Sequence, residues 1–273
     1  MQKKFQEKIF LSSLKESVGK IRKNKIYFTL LFFTQLALII IISAIFVNYS
    51  IKIGENMQEI IEPLQDFSAT MIPEDAAAML GNSEALSSAY DAMKMNIALL
   101  VLFSFIAYVI FGGINWNLAN LIVNGREYPL LTYQLIFGIS ALFLTFVALL
   151  FSAFFLSFMA YVGNNQLAVL LGTVLLMGIT YFSFISFALI HKYNLKQIKQ
   201  LIKHTLQLGY KKFGTLSFSY AFMVLIIILF AGIVYLLLYS PMPALFFILI
   251  LFILSMNWGK LYFLTTVNNV EKK

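Results

Sequence analysis

Four stretches of the chain, Ile26–Ile51, Met95–Gly125, Tyr128–Ile190 and Phe213–Gly259, contain no Asp, Glu, Lys or Arg. A membrane-spanning helix needs about 20 predominantly apolar residues, so runs of 26, 31, 63 and 47 residues accommodate one, one, two and two spans. The expected fold is all-α: a polytopic membrane protein with six transmembrane helices, at 26–51, 95–120, 130–161, 167–190, 216–239 and 243–263, in a single membrane domain covering 1–273. With 60% hydrophobic and only 12% charged residues, the composition lies far from that of a soluble domain.

The net charge of +8 raises the question of where the 20 basic residues lie. Eighteen fall in the N-terminal tail to Lys25, at Arg126, in the segment His191–Lys212 and at Lys260, Lys272 and Lys273. Alternating spans put all of these on one side. The opposite side keeps Lys52 and Lys94, together with eight of the twelve acids. This is the positive-inside pattern, and it predicts a multi-pass protein of the cell membrane with both termini cytoplasmic. Orientation thus accounts for the basic charge, and no nucleic-acid partner is expected. The chain has no cysteine, which excludes disulfides and thiolate metal sites. The first apolar run exceeds a signal-peptide h-region and lacks a clear cleavage site, so it is expected to stay as a span.

Outside the spans, residues 1–25 carry Phe5, Ile9, Phe10, Leu14, Val18 and Ile21 at helical spacing between lysines and glutamates. They read as an amphipathic helix on the inner surface. A second basic amphipathic segment, 191–213, sets Leu195, Ile198, Ile202 and Leu206 on one face and Lys192, Lys196, Lys199 and Lys203 around it. Its expected partner is the anionic inner leaflet of the lipid bilayer. Residues 52–94 form an acidic outer helical cap. There, Pro63 should end or kink a first helix, Pro73-Glu74-Asp75 resembles a first turn, and Asn82 or Ser83 offers another start. Glu55, Glu59, Glu62 and Asp66 read as a solvated face rather than a calcium site. The amide of Gln35 inside the first span reads as a helix-packing contact.

The most polar cluster within the apolar runs is Asn115, Trp116, Asn117, Asn120 and Asn124. Gly112, Trp116, Asn120 and Asn124, four apart, share one helical face. They fit either an inner interface with a Trp anchor or the lining of a polar vestibule. Asn257 and Trp258 repeat the Asn-Trp pair near the inner end of the sixth span, which suggests a duplicated hairpin. Positive-inside topology and aromatic belts produce similar endings without duplication. Arg126 and Glu127, in the inner turn, are either solvated or a partner contact. All nine of these residues are candidates for a vestibule or partner surface.

Catalysis has few parts to draw on. No span centre carries an ionisable group by this reading, neither histidine belongs to a zinc motif, and there is no Walker A sequence or G-x-S-x-G elbow. No enzyme, cofactor or metal is expected. The chain is expected to act as a membrane scaffold or as an assembly or interaction component. The alternative is a permease subunit that works with a separate ATPase. Six spans, an amphipathic N-terminus and an outer insert between spans one and two resemble ABC-2-type permeases in outline, although the acidic coupling segment between spans two and three is reduced to Glu127. The abundance of Phe, Ile, Lys and Asn with short loops is also similar to uncharacterised six-span membrane proteins of archaeal type, a resemblance that implies no activity.

Overall fold

Hydrocarbon offers a backbone no hydrogen-bond partner, so apolar runs this long satisfy themselves as helices. The computed structural model describes residues 2–69, 76–125, 127–162, 165–236 and 242–272, and among them every element is helical. The helices are α1 (Gln2–Lys23), α2 (Lys25–Ala69), α3 (Ala76–Ala107), α4 (Gly113–Asn124), α5 (Leu130–Val162), α6 (Asn165–Leu189), α7 (Ile198–Lys211), α8 (Phe213–Leu236) and α9 (Met242–Glu271). A π turn, Tyr108–Gly112, joins α3 to α4, and two 3-10 turns, Ile190–Lys192 and Leu195–Gln197, lead into α7. Six helical stretches are long and apolar enough to cross a membrane: Lys25–Ile61, Leu86–Asn124, Leu130–Ser152, Leu170–Lys192, Phe213–Leu236 and Phe246–Glu271.

Several helix boundaries differ from those expected. α2 runs through Pro63, which costs it the hydrogen bond to the Glu59 carbonyl without ending it. α3 is continuous from Ala76, with no new start at Asn82 or Ser83. The first turn expected at Pro73-Glu74-Asp75 lies outside the described residues. α9 continues eight residues past the predicted end of span six at 263, which places Lys260 well inside the helix.

The chain divides into two compact units, one of residues 37–110 and one of Met1–Leu36 with Phe111–Lys273. In the first, Tyr49 stacks on Phe103 with ring centroids 6.0 Å apart. Asp91 pairs with Lys94 at 2.6 Å, and the Lys94 ammonium lies 4.5 Å from the Tyr90 ring centroid.

The second unit is organised around α9, which packs against α1, α4, α6 and α8. Leu261 to Thr266 on α9 are completely buried. On α1, Phe10 meets Tyr262 of α9 edge-on, and Ile9, Ser13 and Ser17 are buried while Val18 is exposed. The buried stripe shares Ile9 with the apolar one read in the sequence but takes in the serines in place of Val18. Serines suit a close approach of two helices, and Asn269 completes the seam by donating to Ser13 Oγ at 3.1 Å and Glu16 Oε2 at 3.0 Å. Burial works against the Glu16 carboxylate, but its bonds to Lys20 and Asn269 and the fields of Lys20 and Lys272 outweigh it, holding its pKa below the ordinary glutamate value. The seam is strongest above that ordinary value and weakens as pH falls through the lowered one.

α7 likewise uses a neighbouring stripe, burying Leu201, Thr205 and Leu208 and packing on α6, while Leu206 is exposed. Its entry is set by a capping box. Asn194 and Gln197 bond each other's backbone across the preceding 3-10 turn.

Candidate functional site

Within the second unit, α4 and α9 share a column of polar side chains. At one end lies Lys260, 9% exposed, in the helix whose other residues are mostly apolar. Its ammonium donates to Asn115 Oδ1 and, at 3.3 Å, to Gln35 Oε1, and it lies 5.4 Å from the centroid of the Trp116 ring. A cation on an aromatic face is attracted by the ring quadrupole, more so away from water. Asn115 then donates to the Leu31 carbonyl at 3.1 Å and to Thr34 Oγ1 at 3.3 Å. Asn257 donates to the same Leu31 carbonyl at 3.4 Å. The two Asn-Trp pairs thus meet through their asparagines. The tryptophans diverge: Trp116 lies among Phe184 and Phe187, whereas half-buried Trp258 stacks on Tyr262.

One helical turn on from Trp116, the Asn120 amide nitrogen lies 3.1, 3.3 and 2.9 Å from the carbonyls of Trp116 and Phe187 and the Tyr133 hydroxyl, its two hydrogens shared among the three acceptors. A carbonyl can only accept, so these bonds fix which end of the Asn120 amide is nitrogen. Its oxygen therefore faces Asn124, whose nitrogen donates to it at 3.2 Å. By the same logic the Asn124 oxygen accepts from the Asn268 nitrogen at 2.7 Å. The three amides form a directional relay rooted in backbone carbonyls. It ends at Asn268 Oδ1, which is buried and has no hydrogen-bond partner.

That end of the column borders a cavity of about 450 Å³, lined by Asn120, Asn124, Glu127, Tyr128, His191, Lys192, Asn268 and Lys272. Lys192 pairs with Glu271, and His204 Nε2 approaches the same carboxylate at 3.8 Å. Glu127 and Lys272 make no ion pair with a described residue. The Tyr128 hydroxyl donates to the Tyr193 carbonyl at 2.6 Å, and the Tyr193 hydroxyl meets His204 Nδ1 at 2.5 Å. Burial pushes both phenols up, with the Glu271 carboxylate adding to the effect on Tyr193, so both remain protonated. His191 Nδ1 faces the Ala188 carbonyl at 2.9 Å and therefore carries a proton.

Of the residues singled out in the sequence, Asn115, Trp116, Asn120, Asn124 and Asn257 belong to the column, and Glu127 lines the cavity. Asn117 is half-buried and off the stripe, and Arg126 lies outside the described residues. Sequence reasoning missed Lys260, Asn268 and Tyr133. Lys260 was readable only from the apolar Leu261, Tyr262, Phe263 and Leu264 that follow it, which show that the buried run continues past the charge. A second cleft, about 470 Å³ and almost wholly apolar, lies against α5, α6 and α7, with Ser140 and Thr205 hydroxyls buried there without partners. Compared with known proteins, the chain matches no family model, no curated protein and no solved structure.

Proposed function

We propose that the chain is a non-catalytic integral membrane protein that serves as a scaffold or as an assembly or interaction component, with both termini in the cytoplasm. The observation carrying this reading is how the polar column is used. Gln35, Asn115, Asn257 and Lys260 are 0–9% exposed and bonded to one another or to backbone, so they join α2, α4 and α9 instead of lining an open path. A buried lysine in an apolar helix is ordinarily a reason to suspect transport. Here two amide oxygens, on Asn115 and Gln35, and the face of Trp116 hold its ammonium between helices. The cavity beside Asn120 and Asn124 is what favours the alternative, a permease subunit driven by a separate ATPase.

Isolation of the tagged chain from its native membrane in mild detergent separates the two. A soluble ATPase recovered one-to-one, whose hydrolysis rises when it is reconstituted with the chain, would overturn the scaffold reading. Recovery of a stoichiometric partner without nucleotide hydrolysis supports it.

Orientation rests on the distribution of lysine and arginine. Since the chain has no cysteine, single cysteines report it directly. An impermeant maleimide is expected to label Glu55→Cys in intact cells and Lys203→Cys only after permeabilisation. The reverse pattern would invert the topology. Under this topology, α7 would lie at the inner surface, its Leu201 stripe on α6 and exposed Leu206 toward lipid.

A further inference from the structure

We propose that the apolar cleft against α5, α6 and α7 binds one anionic phospholipid, with an acyl chain lying along the cleft and the phosphate held by Lys199 and Lys203. The inference rests on the reading that the six apolar helical stretches span a bilayer, and not on the scaffold role.

The shape of the cleft supplies the first argument. Its volume of about 470 Å³ lies within the roughly 300–1,000 Å³ typical of small-molecule sites. Tyr133, near the start of α5, bonds the Phe187 carbonyl near the end of α6, so those two ends lie together on the side where α7 follows. From that side the lining runs from Ser140 to Phe151 on α5 and from Ser186 back to Leu175 on α6. Each run covers eleven residue steps, about 16 Å at 1.5 Å per residue. That is the depth of one leaflet of a ~30 Å hydrocarbon core. The lining is almost wholly apolar, because the Ser140 and Thr205 hydroxyls are buried beneath its surface. It offers contact to a hydrocarbon chain and nothing to a polar ligand.

Charge at the mouth supplies the second. Ile202 and Leu206 of α7 line the cleft. Lys199, Lys203 and Leu206 follow at spacings of four and three, which puts both lysines on the face of α7 that carries Leu206. Both are exposed, and neither makes an ion pair with a described residue. No Asp or Glu occurs from Tyr128 to Val270, so α5, α6, α7 and α8 carry none. The nearest acid to α7, Glu271, is met by Lys192 and by His204, which lies on the opposite face of α7 from Leu206. What borders the cleft is therefore positive charge alone. It suits a phosphate that carries no compensating ammonium, and lysine binds phosphate as a point charge. α7 lies between the end of the span Leu170–Lys192 and the start of the span Phe213–Leu236, which is the level of lipid headgroups.

Gly178 gives direct control of the site. It lines the cleft, and a Cβ there would meet no atom within 4 Å, so Gly178→Leu projects an apolar side chain into open space.

Native mass spectrometry of the full chain in mild detergent, with phosphatidylglycerol, phosphatidylethanolamine and phosphatidylcholine supplied in equal amounts, tests the assignment. One phosphatidylglycerol should be retained per chain, at least fivefold over either competitor. Gly178→Leu should cut that retention about tenfold, and the double variant Lys199→Gln/Lys203→Gln should bring the three lipids to equal retention. The two lysines are exposed, so their exchange tests the site even if Gly178→Leu fails to fold. Equal retention of the three lipids by the parent would show that no headgroup charge is read. Undiminished retention in a folded Gly178→Leu would place the chain outside the cleft, and an unchanged preference in the double lysine variant would place the phosphate elsewhere; each of the three overturns the proposal. Carbonate extraction of native membranes checks the span reading separately. A chain released by carbonate loses both that reading and the site, whereas one that stays in the membrane but retains no lipid selectively loses only the site.

Discussion

Asn115→Leu is expected to destabilise the protein more than Lys260→Met does, and combining the two is expected to restore part of the loss. The Asn115 oxygen accepts from the Lys260 ammonium, whose other contacts are Gln35 Oε1 at 3.3 Å and the face of Trp116. Leucine removes that acceptor and strands a buried charge, at a cost of about 3–5 kcal/mol. The Leu31 carbonyl loses one donor but keeps Asn257 and Thr34, so the damage concentrates on the lysine. Methionine at 260 fills much of the same volume and removes the charge with its donors. It leaves two amide oxygens unpaired, for roughly 1–3 kcal/mol. In the double variant no charge remains to be stranded; Gln35 loses the ammonium, while the Leu31 carbonyl and Thr34 lose the Asn115 donor but keep other hydrogen bonds. Thermal unfolding in detergent, followed by size-exclusion chromatography, ranks the three. If the double variant is no more stable than Asn115→Leu alone, Lys260 and Asn115 are not coupled and that contact is wrongly described.

The same residues show what was legible in the sequence. Six membrane-capable helices were readable because hydrocarbon excludes charge, and that exclusion writes itself into the chain as long runs without Asp, Glu, Lys or Arg. The stripe of Trp116, Asn120 and Asn124 was readable because helical spacing is local. The partners of that stripe were not. Asn115 meets Leu31 and Thr34 across 84 and 81 positions, Asn257 meets Leu31 across 226, and nothing in local periodicity encodes such pairings. Counting Lys260 only among the one-sided basic residues hid its burial, because amides and an indole face shelter its ammonium inside the helix. Ending span six at 263 also hid Asn268, the last member of the relay. On α1 and α7 the apolar stripe was visible, but which of two adjacent stripes packs on protein depends on small residues such as Ser13, Ser17 and Gly209, whose low hydrophobicity conceals their role.

Gly209 gives that last point a measurable form, since Gly209→Val is expected to loosen α7 from α6. A Cβ at this position would lie 2.6 Å from Phe182 Cε1, 3.1 Å from Phe182 Cδ1 and 3.2 Å from Ile185 Cδ1. Its backbone oxygen also accepts from the Tyr181 hydroxyl at 3.0 Å, which holds the two helices at the distance that only glycine allows. A phenyl ring cannot bend out of the way as a lysine or methionine tail can, so the helix must shift and lose that bond. Overpacking of this kind costs about 1–3 kcal/mol, against which the better helix propensity returns well under 1 kcal/mol for a β-branched residue. Gly19→Ala in α1 provides the opposite case. No atom lies within 4 Å of its Cβ, so propensity acts alone and stability is expected to rise by up to about 1 kcal/mol. Limited trypsin digestion reads the difference locally, because Lys199, Lys203, Lys211 and Lys212 all lie on or beside α7 and become cleavable once it detaches. Gly209→Val should be cut there faster than the parent, with Gly19→Ala unchanged at those sites; equal digestion of all three would mean that α7 does not depend on the close approach at Gly209.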